Sequence, residues 1–191
     1  KTLPIAEKLR SPAMIHNTAG PLARSLIMIN NLEGAQSCLE KVLPSETGMD
    51  TLGKRVCWVR MVELLLARGD LNQALEILDR LIEAAAGVPA EHVITYLWKL
   101  KGEILFALRR VKESISWLQA ARQNAARTTE RCLLWQVDDD LGRAYKALGR
   151  DSEAEDAFNN AKELTKKLAE TIPDQDLRSS YLQRSHARIG A

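Results

Sequence analysis

The sequence predicts an all-α protein built as an α–α superhelix, a solenoid of stacked helical hairpins. The composition is one reason. Hydrophobic residues make up 46% of the chain and aromatic residues only 5%, and Ala, Leu, Glu and Arg dominate, which is typical of helical proteins. The second reason is a repeat. The amphipathic pattern of Trp98–Ala126 recurs about every 40 residues, a period typical of stacked supersecondary units.

Four columns of residues recur in register along the chain. The small column contains Ala35, Ala74, Ser114 and Ala154. The large column contains Leu39, Leu78, Leu118 and Phe158. The two other columns contain Ala23, Val62, Gly102 and Gly142, and Leu26, Leu65, Leu105 and Tyr145. Because antiparallel helices approach closely only where their contact residues are small, the small columns predict where the two helices of each hairpin touch.

These columns predict four hairpins, at about residues 16–43, 51–87, 90–127 and 129–171, and a capping helix at 174–185. In the first hairpin, Gly20-Pro21 predicts that the helix begins near Pro21 or is kinked there, since an internal proline costs about 3 kcal/mol. Upstream, Ile5–Arg10 predicts the end of a helix that Ser11-Pro12 would stop. Residues 44–50 predict a loop.

The later elements are marked by turn residues. Asp50 or Thr51 is expected to cap the second hairpin. Gly69 suits a left-handed end of its first helix, with Asp70 as the next N-cap. The third hairpin turns at Arg109-Arg110 and the fourth at Leu148–Asp151. The final helix, with Leu177, Tyr181 and Leu182, is expected to cover the exposed face of the last hairpin.

We expect residues 1–191 to form a single domain, and the absence of an initiator Met at Lys1 predicts a fragment of a longer chain. No apolar run reaches the roughly 18–20 residues that span a bilayer, and no signal peptide is evident. The scattered cysteines Cys38, Cys57 and Cys132 are expected to be buried thiols in a reducing cytoplasm. The formal charge of +2 argues against direct nucleic-acid binding.

The residues offer no catalytic constellation, so the prediction is a protein that is not an enzyme, with no cofactor and no metal. Asp138-Asp139-Asp140 point in different directions on a helix and cannot converge on one ion; a solvated or groove-facing acidic patch is expected. His16, His92 and His186 lie far apart without a metal-ligand spacing. The tryptophans are expected in the core or the groove wall: Trp58, Trp98, Trp117 and Trp135.

Three segments resemble the tetratricopeptide repeat: RGDLNQAL at 68–75, LGRAY at 141–145 and ALGRDSEAEDAF at 147–158. The usual repeat of that family has about 34 residues, so the period here implies longer helices. The proline that often closes such a repeat is absent from the three well-formed units.

A narrower resemblance covers most of the chain. TLGKRVCWVRMVELLLARGDLNQALEILDRLI at 51–82 and LLWQVDDDLGRAYKALGR at 133–150 resemble the helical-repeat region of large bacterial signalling ATPases and LuxR-type transcriptional regulators. In that family the repeats follow an NTPase module and sense an inducer or hold a partner. The resemblance implies that NTPase and helix-turn-helix modules lie outside this fragment.

In tetratricopeptide arrays the first helices of the hairpins line a concave groove, and polar residues recur on those helices here. The candidate groove residues are Arg24, Arg60, Glu63, Tyr96, Lys99, Glu103, Phe106, Asp139, Arg143 and Lys146. An ordinary solvated face is the alternative. Arg or Glu stands where carboxylate-gripping co-chaperone repeats have Asn and Lys, which disfavours that use.

The predicted function is a non-catalytic, cytoplasmic sensor module of a bacterial transcriptional regulator or signalling ATPase. Its groove would bind a protein, a peptide or a small-molecule effector, and binding would shift its packing on neighbouring domains of the parent chain. A protein-interaction scaffold or self-association module is the alternative. RNA binding by helical repeats is disfavoured by the near-neutral charge, and no membrane partner is expected.

Overall fold

The computed structural model describes residues 11–44, 48–85 and 91–190, and every regular element in these ranges is an α-helix, as predicted. The helices are α1 Pro12–Met28, α2 Leu32–Glu40, α3 Leu52–Arg68, α4 Leu71–Ala85, α5 Glu91–Ala107, α6 Val111–Arg127, α7 Arg131–Ala147, α8 Asp151–Glu170 and α9 Gln175–Arg188. The chain divides into two compact units, Lys1–Val88 and Pro89–Ala191.

The first unit holds two hairpins, α1–α2 and α3–α4, and α1 also packs against α3. The packing is close because small residues lie at the contacts. A Cβ added at Gly20 would lie 2.7 Å from Cγ1 of Val56, and Ala35 and Ala74 of the small column are fully buried. The column positions predicted for helix contact are therefore buried here.

The first helix begins earlier than predicted. Ser11 precedes it and Pro12 occupies its first turn, where the missing proline N–H is harmless. Pro21 lies inside α1, so the predicted start near Pro21 is wrong. Ala19 and Ala23, on either side of Pro21, are both 0% exposed, so tertiary packing on both sides of the proline favours a continuous helix over the local preference.

Some predictions cannot be placed. The expected helix end at Ile5–Arg10 lies outside the described residues, as does the boundary near residues 87–90 between the second and third predicted hairpins. The loop at 44–50 is described except for 45–47.

The turns inside the hairpins repeat in backbone conformation as well as in sequence. Asn30, Gly69, Arg109 and Gly149 have φ angles of 59°, 84°, 64° and 71°. Each lies in the turn after the first helix of its hairpin, and the left-handed Gly69 confirms the predicted cap. Glycine adopts this conformation without steric cost, whereas a residue with a Cβ does not.

Two N-terminal caps bear on the predictions. The Thr51 side chain accepts a hydrogen bond from Lys54 N at 3.4 Å, which confirms it as the cap of α3. The Asp50 carboxylate pairs instead with Lys54 Nζ at 2.8 Å. At the start of α9, Asp174 accepts from Leu177 N at 2.8 Å.

The second unit holds the hairpins α5–α6 and α7–α8 and the helix α9, which packs on α8. The Ser114 hydroxyl donates to the Gly102 carbonyl at 2.8 Å. A Cβ at Gly102 would lie 2.5 Å from Cγ of Leu118, and one at Gly142 would lie 2.6 Å from Cδ1 of Phe158. The predicted columns thus meet as intimate helix contacts.

The final helix packs on the last hairpin with only some of the predicted residues, since Tyr181 and Leu182 are half-buried. Leu177 is 64% exposed, so its expected burial is wrong. Ser185 and Ile189 are buried, and Ile189 joins a small apolar cluster with Trp135 and Ala161. The most buried residues of this segment therefore lie at the C-terminal end of α9 and just after it.

The cysteines do not share one environment. Cys38 and Cys57 are buried, but Cys132 is exposed, so the expected burial fails there. Burial raises the pKa of the Cys57 thiol to about 11, and that thiol donates to the His16 carbonyl at 3.3 Å. Among the described helices, none is long and apolar enough to cross a membrane.

Candidate functional site

Six charged side chains gather within the second unit, and we call them the charged cluster. Two come from α5, three from α7 and one from the end of α9: Lys99, Glu103, Asp139, Asp140, Arg143 and Arg188. The helices bring them together because α5 and α7 are the first helices of successive hairpins and lie side by side.

Lys99 is the most buried cation of the cluster, with 3% of its surface exposed. Its Nζ lies 2.6 Å from Oε1 of Glu103 and 3.1 Å from Oδ2 of Asp140. Burial lowers the pKa of Lys99, but the two carboxylates outweigh burial and leave its pKa raised. A buried ammonium is stable only with such partners, so Lys99 ties α5 to α7 as an ion.

The end of α9 is bound to the same carboxylates. Arg188 lies 3.7 Å from Asp139, 3.9 Å from Asp140 and 4.0 Å from Glu103. The backbone N–H of Gly190 donates to Oδ1 of Asp139 at 2.9 Å. The guanidinium of Arg188 also stacks over the Trp135 ring, 5.5 Å from its centre. A segment outside the repeats therefore contacts a surface formed by two of them.

Burial raises the pKa of two carboxyl groups of the cluster. Burial raises the pKa of Glu103, opposed first by Lys99. Burial also raises the pKa of Asp139, opposed by the Gly190 hydrogen bond and by Arg143. Arg143 pairs with both Asp139, at 3.4 Å, and Asp140. The cluster thus contains three cations and three carboxylates, so positive and negative groups are equal in number.

The acidic triplet is divided between two faces of α7. Asp139 and Asp140 belong to the charged cluster, whereas Oδ1 of Asp138 accepts from Nε of Arg122 on α6 at 2.5 Å. Asp138, Asp139 and Asp140 are 1%, 0% and 5% exposed. The solvated alternative for this patch is therefore wrong, and its groove-facing alternative stays a prediction.

The candidate groove residues of the second unit fall into three groups. Lys99, Glu103, Asp139 and Arg143 come together in the charged cluster. Tyr96 and Phe106 are half-buried and pack against the hydrophobic core of the unit, so they support α5 from behind. Lys146, on the last turn of α7, is exposed.

The candidate groove residues of the first unit do not form a comparable cluster among the described residues. Arg60 and Glu63 form an ion pair three residues apart on α3. Arg24 is exposed on α1. A binding role for these residues stays a prediction.

Sequence reasoning missed two members of the cluster, Asp140 and Arg188. The signal for pairing was present in part: positions 40 residues apart carry opposite charges at Lys99 and Asp139, and again at Glu103 and Arg143. Stacked repeats bring such positions together. Arg188 lies outside the repeat register, so no comparable signal pointed to it.

The tryptophans are distributed between core and surface. Trp58 and Trp135 are buried. The half-buried Trp98 and Trp117 rings lie 6.4 Å apart, and Nζ of Lys101 lies 4.1 Å from the centre of the Trp117 ring. These contacts account for the rings as parts of the hairpin α5–α6.

Comparison with known proteins agrees with this architecture. A family model described as a tetratricopeptide repeat matches residues 140–168, which span most of the hairpin α7–α8. The fold is tetratricopeptide-like. No curated protein sequence matches the chain. The helices and the solved structures of similar fold confirm the predicted class, an all-α tetratricopeptide-like solenoid.

Three solved structures illustrate the likeness. PlcR of Bacillus thuringiensis, in complex with the peptide PapR7 and DNA, has a TM-score of 0.79 at 15% identity, covering 99% of this chain and 66% of its own. A signal transduction ATPase with numerous domains and a tetratricopeptide repeat sensor, from Pyrococcus horikoshii, has a TM-score of 0.66 at 16% identity, and the match covers 97% of this chain and 27% of that protein. A putative kinesin light chain of Podospora anserina has a TM-score of 0.64 at 19% identity, and the match covers 94% of this chain and 88% of that protein.

The likeness is therefore one of fold, and the chain spans only part of the first and second of these proteins. Folds of this kind are generally non-catalytic scaffolds whose extended surfaces bind proteins or peptides.

Proposed function

We propose that this chain is a protein- or peptide-binding sensor module of a bacterial transcriptional regulator, and that the charged cluster forms part of its binding surface. One observation carries the proposal. The Arg188 side chain, supplied by a helix outside the repeats, already lies within 4.0 Å of carboxylates from both α5 and α7. A basic side chain of a partner would find the same carboxylates.

The contacts of Arg188 are long and partly exposed, which makes them replaceable. Its side chain is 42% exposed, so a partner can reach it, although the carboxylates of Asp139 and Asp140 are buried. A partner cation that takes the place of Arg188 would keep these buried carboxylates compensated. A competing arginine with bidentate geometry would make stronger hydrogen bonds to the same carboxylates.

Arg143 offers the complementary contact for an acidic group. Its side chain is 32% exposed, and its Nε, which is buried, donates to no acceptor within residues 11–44, 48–85 and 91–190. An unsatisfied buried donor is uncommon in folded proteins. The partner best suited to this surface is an extended peptide that carries both a basic and an acidic side chain.

The regulatory context rests on resemblance. The sequence resembles the repeat region of bacterial signalling ATPases, and two proteins of similar fold are PlcR, bound to a peptide and DNA, and a signal transduction ATPase with a tetratricopeptide repeat sensor. In this proposal, partner binding displaces Arg188 and shifts the packing of the module on a neighbouring domain of its parent chain.

The experiment selects peptides from a displayed random library against the chain and measures the affinity of the winners by fluorescence anisotropy. Glu103→Gln and Arg143→Gln each remove one charge from the cluster and should weaken binding at least about tenfold, or about 1.4 kcal/mol. The matched controls are Arg110→Gln and Glu113→Gln, because these residues form an exposed ion pair at the start of α6, outside the charged cluster. The controls should bind as the wild type does.

Far-UV circular dichroism establishes that each variant keeps its helicity. Peptides whose affinity is indifferent to Glu103→Gln and Arg143→Gln would place binding elsewhere and refute the proposal. A failure to select any peptide, together with a stable dimer in size-exclusion chromatography with light scattering, would favour the self-association module.

A further inference from the structure

A second polar cleft lies on another face of the second unit. It is formed by α6, α7 and α8 and has a volume of about 480 Å³, within the roughly 300–1,000 Å³ usual for small-molecule sites. The side chains that matter for its chemistry are Arg122, Gln123, Asp138, Asp156 and Asn160. None of them belongs to the charged cluster.

Arg122 is held in place by a buried carboxylate. Its Nε donates to Oδ1 of Asp138 at 2.5 Å, and Asp138 is 1% exposed. The Arg122 side chain itself is 47% exposed, and its two terminal Nη groups meet no acceptor in the described part of the chain. One edge of the guanidinium is thus anchored while its other donors stay available at the cleft.

The carboxylate of Asp138, which holds Arg122, also has an oxygen without a hydrogen-bond partner in the ranges that the structure describes. Oδ2 of Asp138 is buried and has no hydrogen-bond partner among the described residues. Burial raises the pKa of Asp138, and Arg122 opposes that rise. Because a buried carboxylate needs its counter-ion, Asp138 keeps the guanidinium at the cleft wall and fixes its orientation there.

The wall opposite Arg122 carries negative charge. Asp156 on α8 is exposed, and no ion pair or hydrogen bond engages its carboxylate within the described residues. Glu153, one turn earlier, is already paired with Arg150. The cleft is also lined by the amides of Gln123 and Asn160, which have no hydrogen-bond partner among the described residues, and by the apolar Leu141.

We propose that this cleft binds a small zwitterion of the α-amino acid class. The ligand carboxylate would accept from the Nη groups of Arg122, whose fork matches carboxylate geometry. The ligand ammonium would face Asp156, and its side chain would lie toward Leu141 and Ala157. This site uses a different face from the peptide-binding surface, so it does not depend on the function proposed above.

The test measures binding of each of the common L-amino acids to the whole chain by isothermal titration calorimetry. At least one should bind with a Kd below about 1 mM. Its carboxamide and its N-acetyl derivative, which each lack one of the two charges, should bind at least about tenfold more weakly. Arg122→Gln and Asp156→Asn should weaken the amino acid to a similar degree.

Matched controls come from the same helices. Arg127→Gln on α6 and Glu155→Gln on α8 remove equivalent exposed charges outside the cleft and should leave the affinity unchanged. Arg122→Lys keeps the charge opposite Asp138 but loses the fork, so it tests the same contact should Arg122→Gln fail to fold.

Three outcomes would overturn the proposal. These are the absence of binding by every amino acid, undiminished binding by both Arg122 variants, and equal binding by the N-acetyl derivative. The last would indicate a simple carboxylate site.

Discussion

Gly102→Ala tests the closest helix contact in the second unit. The added Cβ would lie 2.5 Å from Cγ and 2.6 Å from Cδ2 of Leu118, far inside the roughly 3.5–4.0 Å at which carbon atoms attract. Leu118 is 1% exposed, so it has no open space to enter. The neighbouring hydrogen bond from Ser114 to the Gly102 carbonyl limits how far α5 and α6 can move apart.

The magnitude follows from two opposing effects. Overpacking a filled core costs about 1–3 kcal/mol, whereas alanine favours a helix over glycine by about 1 kcal/mol. In the Leu118→Ala background the clashing atoms are gone, and only the gain in helix propensity remains. Gly102→Ala should therefore be about 1–3 kcal/mol more destabilising in the wild type than in Leu118→Ala, which by itself costs about 2–5 kcal/mol.

The assay is a double-mutant cycle in urea, followed by far-UV circular dichroism. The coupling free energy isolates the contact from effects of each residue elsewhere. An effect of Gly102→Ala that is the same in both backgrounds would refute the close approach of α5 and α6 at this point.

Two further predictions concern buried charges. Lys99→Met should lower the free energy of unfolding by about 3–5 kcal/mol, because it leaves the carboxylates of Glu103 and Asp140 without their buried cation. Lys146→Met on the exposed turn should change it by less than about 0.5 kcal/mol, and equal effects in urea unfolding would contradict the ion pairing. The second of these predictions concerns Asp139→Asn. Since the folded chain raises the pKa of Asp139 above 3.8, its protonated form favours folding, and this contribution is present below pH 3.8 and lost as the pH rises through the folded pKa. Wild-type stability should therefore fall relative to Asp139→Asn above pH 3.8, and a difference independent of pH would count against burial of that charge.

The fold was predictable because its contacts repeat. The same small-to-large pairing joins Gly102 to Leu118 and Gly142 to Phe158, and such pairs are visible as columns in the sequence. The start of α1 was not predictable from Pro21. The low helix propensity of proline is a local effect, whereas Ala19 and Ala23 on either side of it are buried by tertiary packing that the sequence does not display.

The candidate site was predictable only in part. The repeat register identified Lys99, Glu103, Asp139 and Arg143, because equivalent positions on successive first helices lie side by side. It could not identify Arg188, whose position depends on how a helix without a repeat partner packs on α8.

Arg122 was missed for a different reason. It lies on a second helix, and its importance comes from a single hydrogen bond to a buried carboxylate. Side-chain conformations of this kind leave no periodic trace in a sequence.

The charged cluster has a consequence for how this surface can diverge. Lys99, Asp139 and Asp140 are at most 5% exposed, so a single replacement that alters one of these three charges leaves a partner charge uncompensated in a poorly hydrated place. Substitutions at these positions should therefore be tolerated mainly in pairs, in which an acidic and a basic residue exchange places or both become neutral. In homologous chains, the residues aligned with Lys99 and Asp140 should therefore vary together. Some homologues should carry the acidic and basic residues at exchanged positions, with a net charge near zero for the pair.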